Sequence, residues 1–570
     1  MPPPRRLRIA ASLFTLAVVA GACQHHKLAQ PLLAPPDATA STLASPPSPA
    51  AIEAPRSAPV QCPEATPVGT TTYYVCNCGP DSPAGCRSGS DENSGTKQEA
   101  PFRTYERARK QFAELRPGNS VAFCRGGSFP IQPDSSQRWV NPNCRANAPC
   151  VVRDYVPSWG NSATPAPVIR APADTRVFSL ENGGPALHEE GYVFAHLDLE
   201  GSGSGWAVFL YNDIDDVTMC DLVINKFELG VHLAGSDAVG PGSDGTSERI
   251  SLRNSRITNN SGQGWLGAGS GTSIEGCHFE NNGFGKAILN HNIYLSGDDA
   301  HDVKIIGNEL YRSAIVSGQC QGTSLVVHGT IDGLRIERNL IREDLHAVAD
   351  TCWGIGIAPA YDRAELFKNV VIDGNVVLNV GNVSIGLSSC QDCLVQNNIV
   401  VNEQGMTDAV IQAPAIERGA GDAPDERIVV RNNSIYADGG TGISLNKEGT
   451  NHQIVNNAIY LSGSRPSRCF LLDASPHLYA EVDYNVCMTT GSGEWTAGHP
   501  DLGTWTKETG FDRHSTRTDP RFVSLVAPYS LKPNKGSPLV NRGDPNNSPR
   551  TDQSGRTRTD GAPDIGATEQ

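Results

Sequence analysis

The chain has 570 residues and a formal net charge of −15, or −18 once three arginines near its start are set aside. That balance leaves little reason to bind nucleic acid, and a polyanionic ligand would need a local positive patch or a cation. The length suits several domains or one long repetitive one, and sixteen cysteines suggest disulfides formed outside the cytosol.

Arg5, Arg6 and Arg8 precede an apolar run from Ile9 to Ala20, the pattern of a secretory signal over 1–22. The run is too short for a retained membrane span. Ala20-Gly21-Ala22-Cys23 resembles a bacterial lipobox, which implies lipidation at Cys23; ordinary signal-peptidase cleavage is the alternative. From Cys23 to residue 60, eight prolines lie between Pro31 and Pro59 among Ala and Ser. This composition cannot pack a core and predicts an extended tether. The expected location is the bacterial cell surface or outer membrane, with the lipid as the sole membrane contact, or otherwise free secretion.

Residues 61–190 are expected to form a disulfide-rich N-terminal cap and entry strands. Tyr105, Ala108, Phe112 and Leu115 fall at helical spacing, Pro117-Gly118 stops the helix, and Val121-Ala-Phe123 resumes strand. Asp91, Glu92 and Asn93 offer oxygen ligands for calcium or, as the blander reading, a solvated turn.

Nine times between Ile250 and Val486 a short phrase recurs. Four copies are Ile250-Ser-Leu252-Arg-Asn254, Val303-Lys-Ile305-Ile-Gly-Asn308, Leu334-Arg-Ile336-Glu-Arg-Asn339 and Val370-Val-Ile372-Asp-Gly-Asn375. Asn398, Asn433, Asn457 and Asn485 belong to later copies, and Ile274-Glu-Gly-Cys277 is a weaker one. Alternating apolar residues predict a strand with one buried face, and Asn tolerates the left-handed bend that follows. Intervals of 22 to 36 residues make each repeat one coil of a solenoid with loops of varied length. Stacked asparagines would bond from coil to coil as an amide ladder. A second strand runs upstream of most phrases, as in Asn292-Ile-Tyr294-Leu-Ser296, Ser324-Leu-Val326-Val-His328, Gly354-Ile-Gly356-Ile and Ser384-Ile-Gly386-Leu.

These repeats resemble the right-handed parallel β-helix superfamily of pectate-lyase-like proteins, from about Thr70 onward. The resemblance implies an all-β solenoid with coils over 191–490 and an irregular closing segment over 491–570. Gly89-Ser-Asp91 and Ala100-Pro101-Phe102 look like the entry motif of secreted β-helix proteins. Asp519-Pro520-Arg521-Phe522 and Asp564-Ile565-Gly566-Ala567 are similar to their C-terminal tails.

For the cysteines, Cys144 with Cys150, Cys469 with Cys487 and Cys320 with Cys352 are the expected pairs, and Cys390-Gln-Asp-Cys393 reads as a structural staple. Seven cysteines in the N-terminal part leave one thiol free or paired across regions.

The densest polar stretch runs from Lys286 to Asp302. With Ile293 and Leu295 inward, Asn292, Tyr294 and Ser296 face solvent, Ser296 aligns with His328, and Tyr294 aligns with Val326, Gly356 and Gly386. A groove with a polar end and a low glycine floor is expected there. The family resemblance implies an extracellular polysaccharide as partner, bound by a monomer. Two chemistries fit. In uronate lysis or epimerisation, His291 or His328 is the base, Tyr294 the acid, and Arg312 or a calcium on Asp298 and Asp299 neutralises the sugar carboxylate. Lys286, Asn292 and Ser296 would bind substrate. Glycoside hydrolysis would draw on Asp298, Asp299 and Asp302, though adjacent aspartates do not by themselves give the required separation. A non-catalytic glycan-binding or adhesive solenoid is the alternative, with Trp206, Trp265 and Trp353 near strands as its modest support. His196 and His232 are expected to be structural.

Overall fold

The computed structural model describes residues 62, 70–133, 137–181, 190–211, 213–235, 247–491, 493–558 and 562–570. The leader, Cys23 and the tether lie outside them.

The chain is a parallel β-helix. One face is a sheet of 14 parallel strands that begins at Thr72–Val75 and ends at Tyr479–Asp483. This ladder starts inside 61–190, the stretch expected to hold the cap and entry strands. A second face stacks Arg256–Thr258, His278–Glu280, Glu309–Tyr311 and Leu340–Arg342 in register. A third stacks Arg176–Glu181, Trp206–Tyr211, Leu229–Gly235, Trp265–Leu266, Ile293–His301, Leu325–Asp332, Ile355–Ile357 and Val383–Leu387. Long strands such as Ser434–Leu445 turn the corner between the second and third faces.

The repeated phrase is therefore a first-face strand, a bend and a second-face strand, and it divides two tasks between neighbouring residues. The residue at the bend is left-handed: Gly307, Arg338, Gly374, Asn397, Asn432, Asn456 and Tyr484 all have positive φ. The next residue is the ladder asparagine. The Nδ2 of Asn308 donates to Asn339 Oδ1 at 3.0 Å, Asn339 to Asn375 at 2.9 Å, and Asn375 to Asn398, Asn398 to Asn433, Asn433 to Asn457 and Asn457 to Asn485 at 3.0 Å each. Asn254, expected to be a rung, has φ 47° and is the bend residue of its coil; Ser255 takes the rung. Ser255 N donates to the Sγ of Cys277, the buried free thiol, which fills the rung between Ser255 and Asn308.

Helix α1 (Tyr105–Phe112) is capped by Thr104, whose hydroxyl accepts from Arg107 N. Asp91 accepts from the Arg103 and Thr104 amides and from the Thr104 hydroxyl, which makes it a brace for this turn. The buried stripe of α1 packs on the first coils, Phe112 lying 5.2 Å from Trp139 and 5.1 Å from Tyr192 between ring centres.

Seven disulfides staple the described coils. They include Cys144–Cys150, Cys320–Cys352, Cys390–Cys393 and Cys469–Cys487. The odd count resolves in both ways at once: Cys62 crosses to Cys220, and Cys277 stays free. Such a set fits an oxidising compartment. No helix among the described residues is long and apolar enough to cross a membrane.

Candidate functional site

The third face carries the site. Its register places one outer row across seven coils: Phe209, His232, Leu266, Tyr294, Val326, Gly356 and Gly386. Ser296 sits opposite His328 in the adjoining row. Successive coils stand ~4.8 Å apart, so Tyr294 and the residues of the next two coils share one patch.

Four rings meet there. Centre-to-centre distances are 5.6 Å for His291–Tyr294, 5.2 Å for Tyr294–His328 and 5.9 Å for His328–Tyr361. The Tyr294 and Tyr361 hydroxyls lie 3.0 Å apart. Both histidines are oriented by backbone: His328 Nδ1 is 2.6 Å from the Ala358 carbonyl, and His291 Nδ1 is 2.8 Å from that of Thr323. A carbonyl only accepts, so each Nδ1 carries the proton and each Nε2 keeps its lone pair. Burial pushes His328 down and His291 further, to about 3, which keeps both imidazoles neutral near pH 7. Burial also raises Tyr294 and Tyr361, which stay protonated. The patch thus pairs neutral bases with phenolic acids.

The segment from Ala358 to Glu365 supplies the parts that the phrase alignment missed. Tyr361 closes over His328, and the Arg363 guanidinium lies 5.2 Å from the Tyr361 ring centre. Arg363 also pairs with Asp298 at 3.0 Å. The buried Glu365 holds this loop: its carboxylate accepts the backbone N–H of Gly329, of Ala360 at 2.7 Å, and of Tyr361. The spacing between Asn339 and Asn375 was the available signal, since it is the longest of the repeat intervals.

Several expected positions differ. His291 does not turn outward; it is 4 % exposed and faces its neighbours. Asn292 is not on the solvent face. It is fully buried, accepts from Asn282 and donates to the Tyr311 carbonyl, because the strand proper begins one residue later at Ile293. Arg312 lies off the row: it pairs with Asp344 at 2.8 Å and lines a cleft of about 260 Å³ with Glu280, Glu343 and Asp344. Asp298 is committed to Arg363, Asp299 sits at a left-handed bend, and among the described residues neither belongs to a cluster of three potential metal donors. Lys286 is exposed on the loop before the strand. Ser296 stays on the outer row beside the Tyr361 hydroxyl. His196 pairs with Asp221 at 3.1 Å. His232 belongs to a separate aromatic cluster farther up the third face, and its Nδ1 is buried without a partner.

The glycine floor is occupied. A Cβ at Gly386 would stand 3.2 Å from the Trp353 ring, and one at Gly356 would stand 3.5 Å from it. The glycines make room for the half-buried Trp353, which lies along the row beyond Val326.

No protein-family model matches this chain, and no curated protein matches it by sequence. Among solved structures it is similar to pectate lyase Pel9A at 14% identity, covering 88% of this chain and 98% of that one, with a TM-score of 0.37. It is also similar to the PL6 family polysaccharide lyase Pedsa3628 from Pseudopedobacter saltans, at 12% identity over 72% of this chain and 89% of that one, TM-score 0.36. The GH136 lacto-N-biosidase from Eubacterium ramulus is 13% identical over 75% and 67% of the two chains, TM-score 0.37. The fold rests on the ladders described above, and the site on its own residues.

Proposed function

We propose that this protein acts on an acidic extracellular polysaccharide by removing the proton on the carbon beside a uronate carboxylate. The observation that carries the reading is the pairing of His328, neutral with Nε2 unprotonated, with the hydrogen-bonded Tyr294–Tyr361 hydroxyls. His328 is the better base of the two histidines, because His291 is more deeply enclosed. Arg363 takes the neutralising role that Arg312 was expected to fill, since it borders Tyr361 directly.

In the lyase form, the C–H electrons become the new C=C bond, the glycosidic C–O bond breaks, and a tyrosine returns a proton to the leaving oxygen. In the epimerase form, no C–O bond breaks and the proton returns from the opposite side. Because Asp298 is held by Arg363, neutralisation here runs through arginine, and chelators should leave turnover unchanged. Lipidation at Cys23 would hold this activity at a membrane surface; fatty-acid labelling lost in Cys23→Ser tests that part.

The decisive experiment offers alginate, pectate and glycosaminoglycans to the wild type and to His328→Ala and Tyr294→Phe. Unsaturated product or inverted residues are expected from at least one polymer with the wild type, and at least a hundredfold less from either variant with folding intact. Neither product from any polymer would refute the proposal.

A further inference from the structure

The third face carries a second cluster, two to four coils before Tyr294. Phe209 and Tyr211 alternate outward from one strand and stack at 5.5 Å with an interplanar angle of 17°. His232, on the next coil, stands 5.1 Å from Trp206 and 5.5 Å from Phe209 between ring centres. Arg176 completes the cluster from the preceding coil, its guanidinium carbon 4.5 Å from the Trp206 ring centre and 4.1 Å from that of Phe209.

Arg176 is held by rings and not by a carboxylate. Arg138, Arg249, Arg363 and Arg427 are each paired with carboxylates. Among the described residues Arg176 makes no hydrogen bond or ion pair; Glu181, the carboxylate on its own strand, is taken by Arg138. Its plane is fixed by two aromatic faces, while its N–H groups are left to bind something else. Tyr211 is 40 % exposed. A planar cation with free N–H donors, backed by the buried Phe209 and flanked by the half-buried Trp206 and the exposed Tyr211, suits a carboxylate on a pyranose ring: the fork binds the carboxylate and the accessible rings stack against the sugar. His232 keeps a buried Nδ1 without a partner beside these rings.

Register ties the cluster to the catalytic patch. Phe209, His232, Leu266 and Tyr294 occupy one row on successive coils. At ~4.8 Å per coil the platform, three and four coils before Tyr294, lies roughly 14–19 Å from it, a span that a short run of sugars bridges along the third face.

We propose that Arg176, Trp206, Phe209 and Tyr211 form a binding subsite for a uronate residue of the polymer whose reacting residue lies at Tyr294. The subsite deepens the proposed function and rests on that reading only for the position of the reacting sugar.

The test titrates polygalacturonate, alginate and a neutral galactan into the full chain carrying His328→Ala, which prevents consumption of the ligand. Arg176→Ala, Arg176→Lys and Trp206→Ala are added to that background, with circular dichroism melts to verify folding. At least one uronate polymer should bind. Arg176→Ala and Trp206→Ala should each weaken it at least tenfold, Arg176→Lys should recover only part of the loss, and galactan should bind poorly throughout. Undiminished binding in folded Arg176→Ala and Trp206→Ala overturns the subsite, as does failure of both uronate polymers to bind. Binding that depends on Arg176, without turnover of any polymer by the unmodified protein, upholds the platform and refutes the catalytic reading. Turnover with binding indifferent to Arg176 does the reverse.

Discussion

Glu365→Ala should loosen the patch of His291, Tyr294, His328 and Tyr361 without altering any of its four rings. Glu365 is 1 % exposed, and its carboxylate accepts three backbone N–H groups, those of Gly329, Ala360 and Tyr361. The Gly329 amide is buried and has no water to turn to, so orphaning it costs about 1–3 kcal/mol. The other two amides are partly accessible and lose about 1 kcal/mol each. The sum, roughly 3–5 kcal/mol, falls on the loop that presents Tyr361 and Arg363. Opening should therefore be local, leaving the asparagine ladder intact. Hydrogen exchange read by mass spectrometry should show faster exchange over Leu325–Asp332 and residues 358–365, with unchanged protection over Val371–Asp373. Turnover should fall along with the protection of Tyr361. Wild-type exchange at residues 358–365 in Glu365→Ala would refute the reasoning, because the carboxylate would then not be what holds the loop.

Asn375→Ala removes a rung and leaves the buried Asn339 N without its partner, while Asn339 Nδ2 keeps the Ile305 carbonyl; a loss of about 2–4 kcal/mol is expected in urea denaturation, and Asn375→Ala matching the wild type would remove the ladder from the stability argument. His291 titrates at about 3 in the fold against ~6.5 when unfolded. The unfolded chain therefore takes up the extra proton first, and stability present at neutral pH is lost as pH falls from about 6.5 toward 3, by about 4–5 kcal/mol in full. Melting at pH 7 and pH 4 should show a smaller acid loss in His291→Gln than in the wild type. Gly386→Val should displace Trp353, since even a Cβ there meets the ring at 3.2 Å and Ala415 at 2.9 Å; a shift in tryptophan emission is expected, with Gly356→Ala as the milder control.

The coil architecture was legible because each coil must satisfy the same backbone demands at the same place. Ile305, Ile336 and Ile372 recur since one strand face is always core, and Asn308, Asn339 and Asn375 recur since a buried bend always leaves amides to satisfy. The neighbouring task was harder to separate. Asn254 looks like a rung in sequence, yet asparagine serves both the left-handed bend and the amide ladder, and only the offset of one residue tells them apart. The row of Tyr294, Val326, Gly356 and Gly386 followed from alignment alone, because parallel register transmits a position from coil to coil. Tyr361, Arg363 and the covering of the glycines by Trp353 did not follow, because loops between strands obey no repeat. Arg312 and Asn292 misled for the same reason: each lies at a strand end, where direction is set by the turn and not by the alternation.

The electrostatics of the chain sharpen the same division between scaffold and site. An acidic protein repels a polyanion at long range, but screening confines that repulsion to about 8 Å at physiological ionic strength. What remains decisive is the short-range pattern along the third face. Many arginines spend their charge on neighbouring carboxylates, as Arg249 does with Asp215, Asp216 and Glu248, and such exposed pairs stabilise little while leaving no net attraction. On the third face the pattern changes: Arg176 rests on aromatic rings, and Arg363, paired with Asp298, donates to the Gly297 carbonyl and lies against the Tyr361 ring. On the proposed reading, a sugar carboxylate lying along this face would meet Arg176 at the aromatic end and Arg363 beside Tyr361. The repeats set the spacing of the row from Phe209 to Gly386, and the residues that depart from the repeat give that row its rings and charges.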